Sequence, residues 1–149
     1  MNQAPQCIQK HQPKRKNMTT LTISAACLID DADRLLLVRK RNTQSFMLPG
    51  GKAEPGEPPI TALLRELQEE LNLILPPAAL QLLGRFHAAA ANEPNTWIDA
   101  SVFQAYLPHS VSAAAELEEL RWLAPGDELP ATLAPLLREH VLSRLWPAA

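Results

Sequence analysis

Five glycines, two cysteines and a single tyrosine among 149 residues leave little room for several architectures. No apolar run approaches the roughly 18 residues a membrane-spanning helix needs, which excludes a helical integral membrane protein. Two cysteines cannot form a disulfide framework: Cys7 lies in a polar, proline-containing segment, and Cys27 in an apolar run where a buried thiol is expected. A reducing, cytoplasmic setting is the corresponding expectation. Acid is absent from the first seventeen residues, where Lys10, Lys14, Arg15 and Lys16 stand, so the overall balance of 14 basic and 16 acidic groups is uneven. Without those four the rest carries ten basic and sixteen acidic residues, a net of −6. A polynucleotide would be repelled by it, and no nucleic-acid polymer is expected as a partner. Residues 1–17 also lack the apolar core of a secretory signal and the helical amphipathicity of a transit peptide. They read as a disordered basic extension, with Met18 a candidate physiological start. What remains, with 46% hydrophobic and 20% charged residues over the whole chain, suits one globular domain over 18–149.

Apolar residues alternate from Leu21 to Ile29 against Thr20, Thr22 and Ser24, and Asp30-Asp31-Ala32-Asp33 follows as a turn, so a strand and hairpin are predicted. Leu35 to Val38 reads as a strand covered on both faces, closed by Arg39-Lys40-Arg41. Residues 49–57 then hold three of the five glycines, concentrating backbone freedom in one loop. Pro58 and Pro59 suit a first helical turn, and Ile60 to Leu71 reads as the helix, with Ile60, Leu63, Leu64, Leu67 and Leu71 on one stripe. Glu66, Glu69 and Glu70 gather beside that stripe on the non-core side. Asn72 fits a left-handed C-cap. Leu80 to Ala90, Trp97 to Leu107 and Leu120 to Leu123 read as further strands, and a last helix, started near Pro130 and stopped by Pro147, carries Leu133, Leu136, Leu137, Val141 and Leu145 inward. The fold class expected is α/β (α+β), a mixed sheet between helices.

Three carboxylates at i, i+3 and i+4 repel one another, and alone they describe a solvated helix face. A glycine loop immediately upstream, a lysine within it and Arg65 beside the carboxylates change that reading. Together they offer a metal site, a bendable backbone and phosphate-pairing cations.

Gly51, five residues, Glu57, seven residues, Arg65-Glu66-Leu67-Gln68-Glu69-Glu70, one residue, then Asn72 and Leu73 resemble the Nudix box of the Nudix hydrolases, with Asn72 where the family has glycine. The resemblance implies an αβα sandwich over roughly Thr19–Trp146 and a Mg²⁺-dependent (or Mn²⁺-dependent) hydrolase of phosphoanhydride bonds. It implies that Glu66, Glu69, Glu70 and the Gly50 carbonyl hold the metal. Glu116 matches the position from which MutT-type members supply a further carboxylate, with Glu118 and Glu119 as competitors. The general base falls within Glu66, Glu69, Glu70 and Glu116. Arg65 would orient a carboxylate, with Glu57 or a metal-site glutamate as its bidentate partner. Lys52, Arg39 and Arg41, with Gly51, are the candidates for the substrate's phosphates. His87 and His140 sit among apolar neighbours and read as structural. Phe46, Phe103, Tyr106, Trp97 and Trp122 are expected mostly in the core, one or two being free to stack on a base.

Family members acting on ADP-ribose or dinucleoside polyphosphates tend to carry proline or tyrosine some sixteen to eighteen residues after the box, where this chain has His87-Ala88-Ala89-Ala90-Ala91. The box flanks are similar to those of MutT-type enzymes, which convert (deoxy)nucleoside triphosphates to monophosphate and pyrophosphate. The asparagine with which MutT reads oxidised guanine has no counterpart in Pro130-Ala131-Thr132-Leu133. A small-molecule nucleotide is thus the expected partner, and a homodimer is compatible with the family. Dinucleoside polyphosphate, ADP-ribose or nucleotide-sugar hydrolysis is the alternative. A non-catalytic nucleotide sensor is the remaining one, although such domains often lose the box glutamates that this chain keeps.

Overall fold

Thr20, Thr22 and Ser24 turned one way, with Leu21, Ile23 and Ala25 turned the other, make β1 (Thr19–Ile29) a strand that both sides of a sheet can use. The computed structural model describes residues 18–147, and the basic segment 1–17, expected to be a disordered extension, lies outside the described residues. The Asp30 carboxylate accepts the main-chain N–H groups of Ala32 and Arg34 at 3.0 and 2.8 Å, and Asp33 takes a left-handed conformation, reversing the chain into β2 (Leu35–Lys40). The glycine loop supplies β3 (Gly50–Lys52), antiparallel to the middle of β1 at Ile23 to Ala25. The strands β4 (Gln81–Ala89) and β5 (Thr96–Tyr106) pair antiparallel, and β5 runs parallel to β1 along its whole length. Finally, β6 (Leu117–Leu123) pairs with β2, giving a six-stranded mixed sheet of order β4-β5-β1-β2-β6 with β3 beside β1.

Helices cover both faces. On one lies α1 (Pro59–Leu71), whose Leu63, Leu67 and Leu71 are buried against Ala26, Leu28, Leu36 and Val38. Each such leucine contributes roughly 1.5–3 kcal/mol by leaving water. On the other face α2 (residues 135–145) buries Leu137 and Val141 against Ala25, Cys27, Leu35 and Leu37. Neighbouring residues of β1 and β2 thus go to opposite cores, which is why Leu35 to Val38 is apolar without interruption. Among the described residues no helix is long and apolar enough to cross a membrane.

Several expectations need correction. The last helix begins at residue 135, not near Pro130, because Phe46 captures the preceding segment: its N–H donates to the Thr132 carbonyl and its carbonyl accepts from Ala134 N–H, both at 2.9 Å. Leu137–Val141 is wound as a π-helical segment, with Leu142–Leu145 α-helical after it. Ile60 and Leu64 are only half-buried, whereas Glu70, assigned to the non-core side, is 3% exposed. Phe46 and Phe103 are core residues, but Trp97 and Trp122 are half-buried and Tyr106 is exposed. His87 is likewise exposed, its Nδ1 2.7 Å from Asp99 Oδ1 and its ring stacked on Trp97, so its partners are a carboxylate and an aromatic ring and not the expected apolar neighbours. His140 is half-buried and stacks on Phe86.

Candidate active site

Two glycines bring β3 close to β1 and to α1. Gly50 has φ of 146° and lies so close to Ser24 that a Cβ there would collide with the Ser24 carbonyl. A Cβ on Gly51 would stand 2.5–2.8 Å from the Glu66 carboxylate. The absence of side chains at both positions therefore lets α1 present its carboxylates to the strand.

The helix ends where the chain turns outward at Asn72, which is left-handed (φ 53°, ψ 35°) and donates its N–H to the Gln68 carbonyl. Leu73 N–H reaches the Leu67 carbonyl at 3.3 Å, completing a C-terminal cap that needs a residue tolerant of that conformation. Arg65 forms the expected fork with Glu57: Nε to Oε2 at 3.0 Å and Nη2 to Oε1 at 2.8 Å. Its Nη1 also reaches Glu66 Oε2 at 3.1 Å, and Nη2 donates to the Lys52 carbonyl at 3.2 Å. One guanidinium thus ties the glycine loop to the helix. The Arg65 hydrogen bonds, with the Glu54 N–H second, hold the Glu57 carboxyl down at about 2, and Arg65 is shifted upward in turn.

Glu70 stands in a different environment. Burial pushes its carboxyl up to about 7; the Gly50 N–H, at 3.3 Å from Oε1, opposes this, Glu66 adds to it, Lys40 opposes it, and Glu116 adds to it. Glu66 is also raised, by burial first, against the hydrogen bond and charge of Arg65, with Glu69 pushing further up and Lys40 opposing. Three carboxylates, Glu66, Glu70 and Glu116, therefore face one space, and Lys40 Nζ sits 3.1 Å from Glu116 Oε1. Among the described residues no three His, Cys, Asp or Glu side chains are drawn together closely enough to hold a metal. The contacts account for this: Arg65 holds Glu66, Lys40 holds Glu116, and Glu69 is turned to solvent with Arg65 3.9 Å away.

These groups form one end of a cavity of about 510 Å³, within the usual size range of small-molecule sites. Gly50, Gly51, Lys52, Lys40, Glu66, Glu70 and Glu116 line that end; Leu21, Ile23, Ile98, Ala134, Leu136 and Leu137, which belong to or pack against one core cluster, make an apolar wall, and Ala89 to Glu93 also line the cavity. Among the described residues no aromatic ring lines this cavity, so none of the five aromatics considered for stacking on a base stands there. Nor is an amide offered by the start of α2, where the lining residues Leu136 and Leu137, with Ala134 just before the helix, are apolar.

Of the residues singled out by sequence, Gly50, Gly51, Lys52, Glu66, Glu70 and Glu116 meet in the cavity, and Glu57 and Arg65 stand behind it. Glu69 lies outside the lining, and so do the other two cations. Arg39 pairs with Glu119 at 3.0 Å and donates to the Thr43 carbonyl, while Arg41 donates to the Ala115 carbonyl. The same pair occupies Glu119, one of the competitors of Glu116. Lys40, between the two arginines, was missed. Val38 and Lys40 share the side of β2 that lines the cavity, but no local signal in the sequence says which side of the strand that is.

The NUDIX domain family model matches residues 18–144. Among solved structures, the chain is similar to a MutT NUDIX hydrolase from Burkholderia pseudomallei, with 27% identity, 77% of this chain and 90% of that chain covered, and a TM-score of 0.65. It is similar also to the ORF135 protein of E. coli, with 25% identity, 90% and 98% coverage, and a TM-score of 0.62. The NUDIX domain of Shewanella oneidensis NrtR, complexed with ADP ribose, shares the fold at 20% identity, 71% and 73% coverage, and a TM-score of 0.57.

Proposed function

Because the chain belongs to the NUDIX domain family as a pyrophosphohydrolase, we propose that it cleaves a (deoxy)nucleoside triphosphate to monophosphate and pyrophosphate in the cavity between β1, α1 and α2. The observation that carries this reading is the division of one cavity into a charged end and an apolar wall. Phosphates fit the first and a nucleoside the second.

Nudix hydrolases generally use a divalent metal, and the donor set here fits a hard cation: Glu66 and Glu70 are desolvated and repel each other, so a cation between them relieves both effects. Mg²⁺ would be held by Glu66, Glu70 and Glu116 with Glu69 and the Gly50 carbonyl. When bound, it supplies charge neutralisation on the diphosphate and a lowered pKa for an attacking water. The chain's own residues do the rest. Lys40 and Lys52 meet phosphate oxygens. Arg65, fixed by Glu57, sets the direction of the Glu66 carboxylate. The wall of Leu21, Ile23, Leu136 and Leu137 takes the base by apolar contact and keeps water from that end. The general base lies among Glu66, Glu69, Glu70 and Glu116.

A second reading has support in the NrtR NUDIX domain, whose complex contains ADP ribose. ADP-ribose, a dinucleoside polyphosphate or a nucleotide sugar presents the same diphosphate with a second bulky group. A hydrolysis panel with Mg²⁺ on canonical and oxidised triphosphates, diadenosine polyphosphates, ADP-ribose and nucleotide sugars, with products separated by ion exchange, decides between them. Monophosphate plus pyrophosphate from a triphosphate is the expected result. Turnover of bridged substrates alone overturns it in favour of the second reading. Nucleotide binding without hydrolysis of any panel member would revive the sensor reading.

A further inference from the structure

Glu116 reaches the cavity from a tight turn fastened at both ends. Ala114 N–H donates to the Glu70 carbonyl at 2.8 Å, at the end of α1, and Leu117 N–H closes the turn on the Ala114 carbonyl at 3.1 Å. Between them Ala115 is left-handed, with φ of 53°, a conformation that Gly, Asn and Asp adopt more readily than alanine. Arg41 meets both of the next carbonyls: its main-chain N–H donates to Glu116 O at 2.9 Å and its Nη2 donates to Ala115 O at 2.8 Å.

We propose that Arg41 is a positioning residue for Glu116, its side chain gripping the Ala115 carbonyl on one side of the Glu116 Cα, beside the main-chain bond to the Glu116 carbonyl on the other, so that the glutamate faces Glu66, Glu70 and Lys40 across the cavity. This rests on the reading of Glu116 as a metal-holding carboxylate. Neighbouring residues then divide the work: Lys40 meets the Glu116 side chain and Arg41 its backbone. Arg41 stands outside the cavity lining, so a phosphate is not its natural partner.

The sign of the effect separates this role from a plain charge effect. Removing a cation near an acidic site strengthens binding of a divalent cation, whereas loss of a positioning contact weakens it. Mn²⁺ affinity of the nucleotide-free protein, read from the spectrum of free Mn²⁺ by electron paramagnetic resonance, is the measurement. Arg41→Ala is expected to weaken Mn²⁺ binding by about tenfold, as loss of outer contacts to a metal ligand does. Arg41→Lys should fall between it and the unaltered protein, and Arg39→Ala, which removes the same charge, should not weaken binding. Glu116→Gln should weaken binding on its own, and adding Arg41→Ala to it should weaken it no further, since both act through one carboxylate.

Unchanged or tighter Mn²⁺ binding in Arg41→Ala overturns the proposal, as does a double variant whose loss is the product of the two singles, or a Glu116→Gln protein that binds as well as the unaltered one. If Arg41→Ala does not fold, judged by thermal melting, Arg41→Lys carries the test, and full affinity there overturns it equally. An unaltered protein that neither binds Mn²⁺ nor hydrolyses any nucleotide overturns the functional reading itself. Normal binding and turnover that are lost in Glu70→Gln but kept in Arg41→Ala overturn only the role of Arg41.

Discussion

At the scale of single residues, the site depends on one missing side chain as much as on its carboxylates. The Glu66 carboxylate occupies the space next to Gly51 where a Cβ would stand. Gly51→Ala should therefore push Glu66 off its contact with Arg65 while leaving the two core clusters untouched. Steady-state turnover with Mg²⁺ is expected to fall by on the order of a hundredfold, the usual consequence of a misplacement near 1 Å. The melting temperature should stay close to that of the unaltered protein. Unchanged turnover would mean that Glu66 is not needed in this position. Periodicity, followed one step further, already held the burial of Glu70: seven residues after Leu63 it lies only about 20° away around the helix, on the apolar stripe itself. Grouping it with Glu66 and Glu69 as a polar face obscured that. What the sequence could not reveal is the direction of Arg39 and Arg41, because a run of three cations at a strand end looks the same whichever of them faces the cavity. Only the tertiary partners, Glu119 for one and the Ala115 carbonyl for the other, separate them from Lys40.

At the scale of elements, α1 must stop where it does for Glu70 to meet Gly50 and for its carbonyl to anchor the Glu116 turn. Asn72 makes that stop, in a left-handed conformation that costs an alanine roughly 1–2 kcal/mol and costs glycine nothing. Asn72→Gly is expected to leave unfolding free energy in urea within a few tenths of the starting value and to keep turnover. Asn72→Ala should lose about 1 kcal/mol and weaken turnover as the end of the helix frays. Equal stability of the two variants would show that another contact terminates α1. The cap and the strands were legible because each rests on local chemistry: alternation for β1, continuous apolarity for β2, a left-handed residue for the helix end. The start of α2 was not. Its position is set by Phe46, which lies about ninety residues earlier and pairs with Thr132 and Ala134. No local pattern in Pro130 to Leu133 records that contact.

At the scale of the whole molecule, β1 is the strand on which both cores and the cavity depend, and Cys27 sits within it as a natural reporter. It is fully buried among Ala25, Leu35, Leu37 and Val141, and burial pushes its thiol up to about 12. A thiol in that state has neither the ionisation nor the access to react, so labelling must pass through an opening of the sheet. In a Cys7→Ala background, iodoacetamide at pH 8 should leave the folded protein unmodified over a time in which the urea-unfolded chain is fully labelled. Labelling should rise with urea in step with loss of secondary structure. The pH dependence has a definite sign. An unfolded thiol ionises near 9 and the folded one near 12, so the contribution of the buried thiol is fully present below pH 9 and is lost as pH rises from 9 towards 12. A Cys27→Ala variant lacks that term, and although its smaller side chain lowers stability overall, the difference between the two proteins should narrow across this window. A difference that stays constant or widens between pH 9 and 12 would mean that burial does not raise the thiol, whereas rapid labelling at pH 8 without urea would mean that β1 opens without the rest of the sheet. The two helices would then be held by something other than the strand they share.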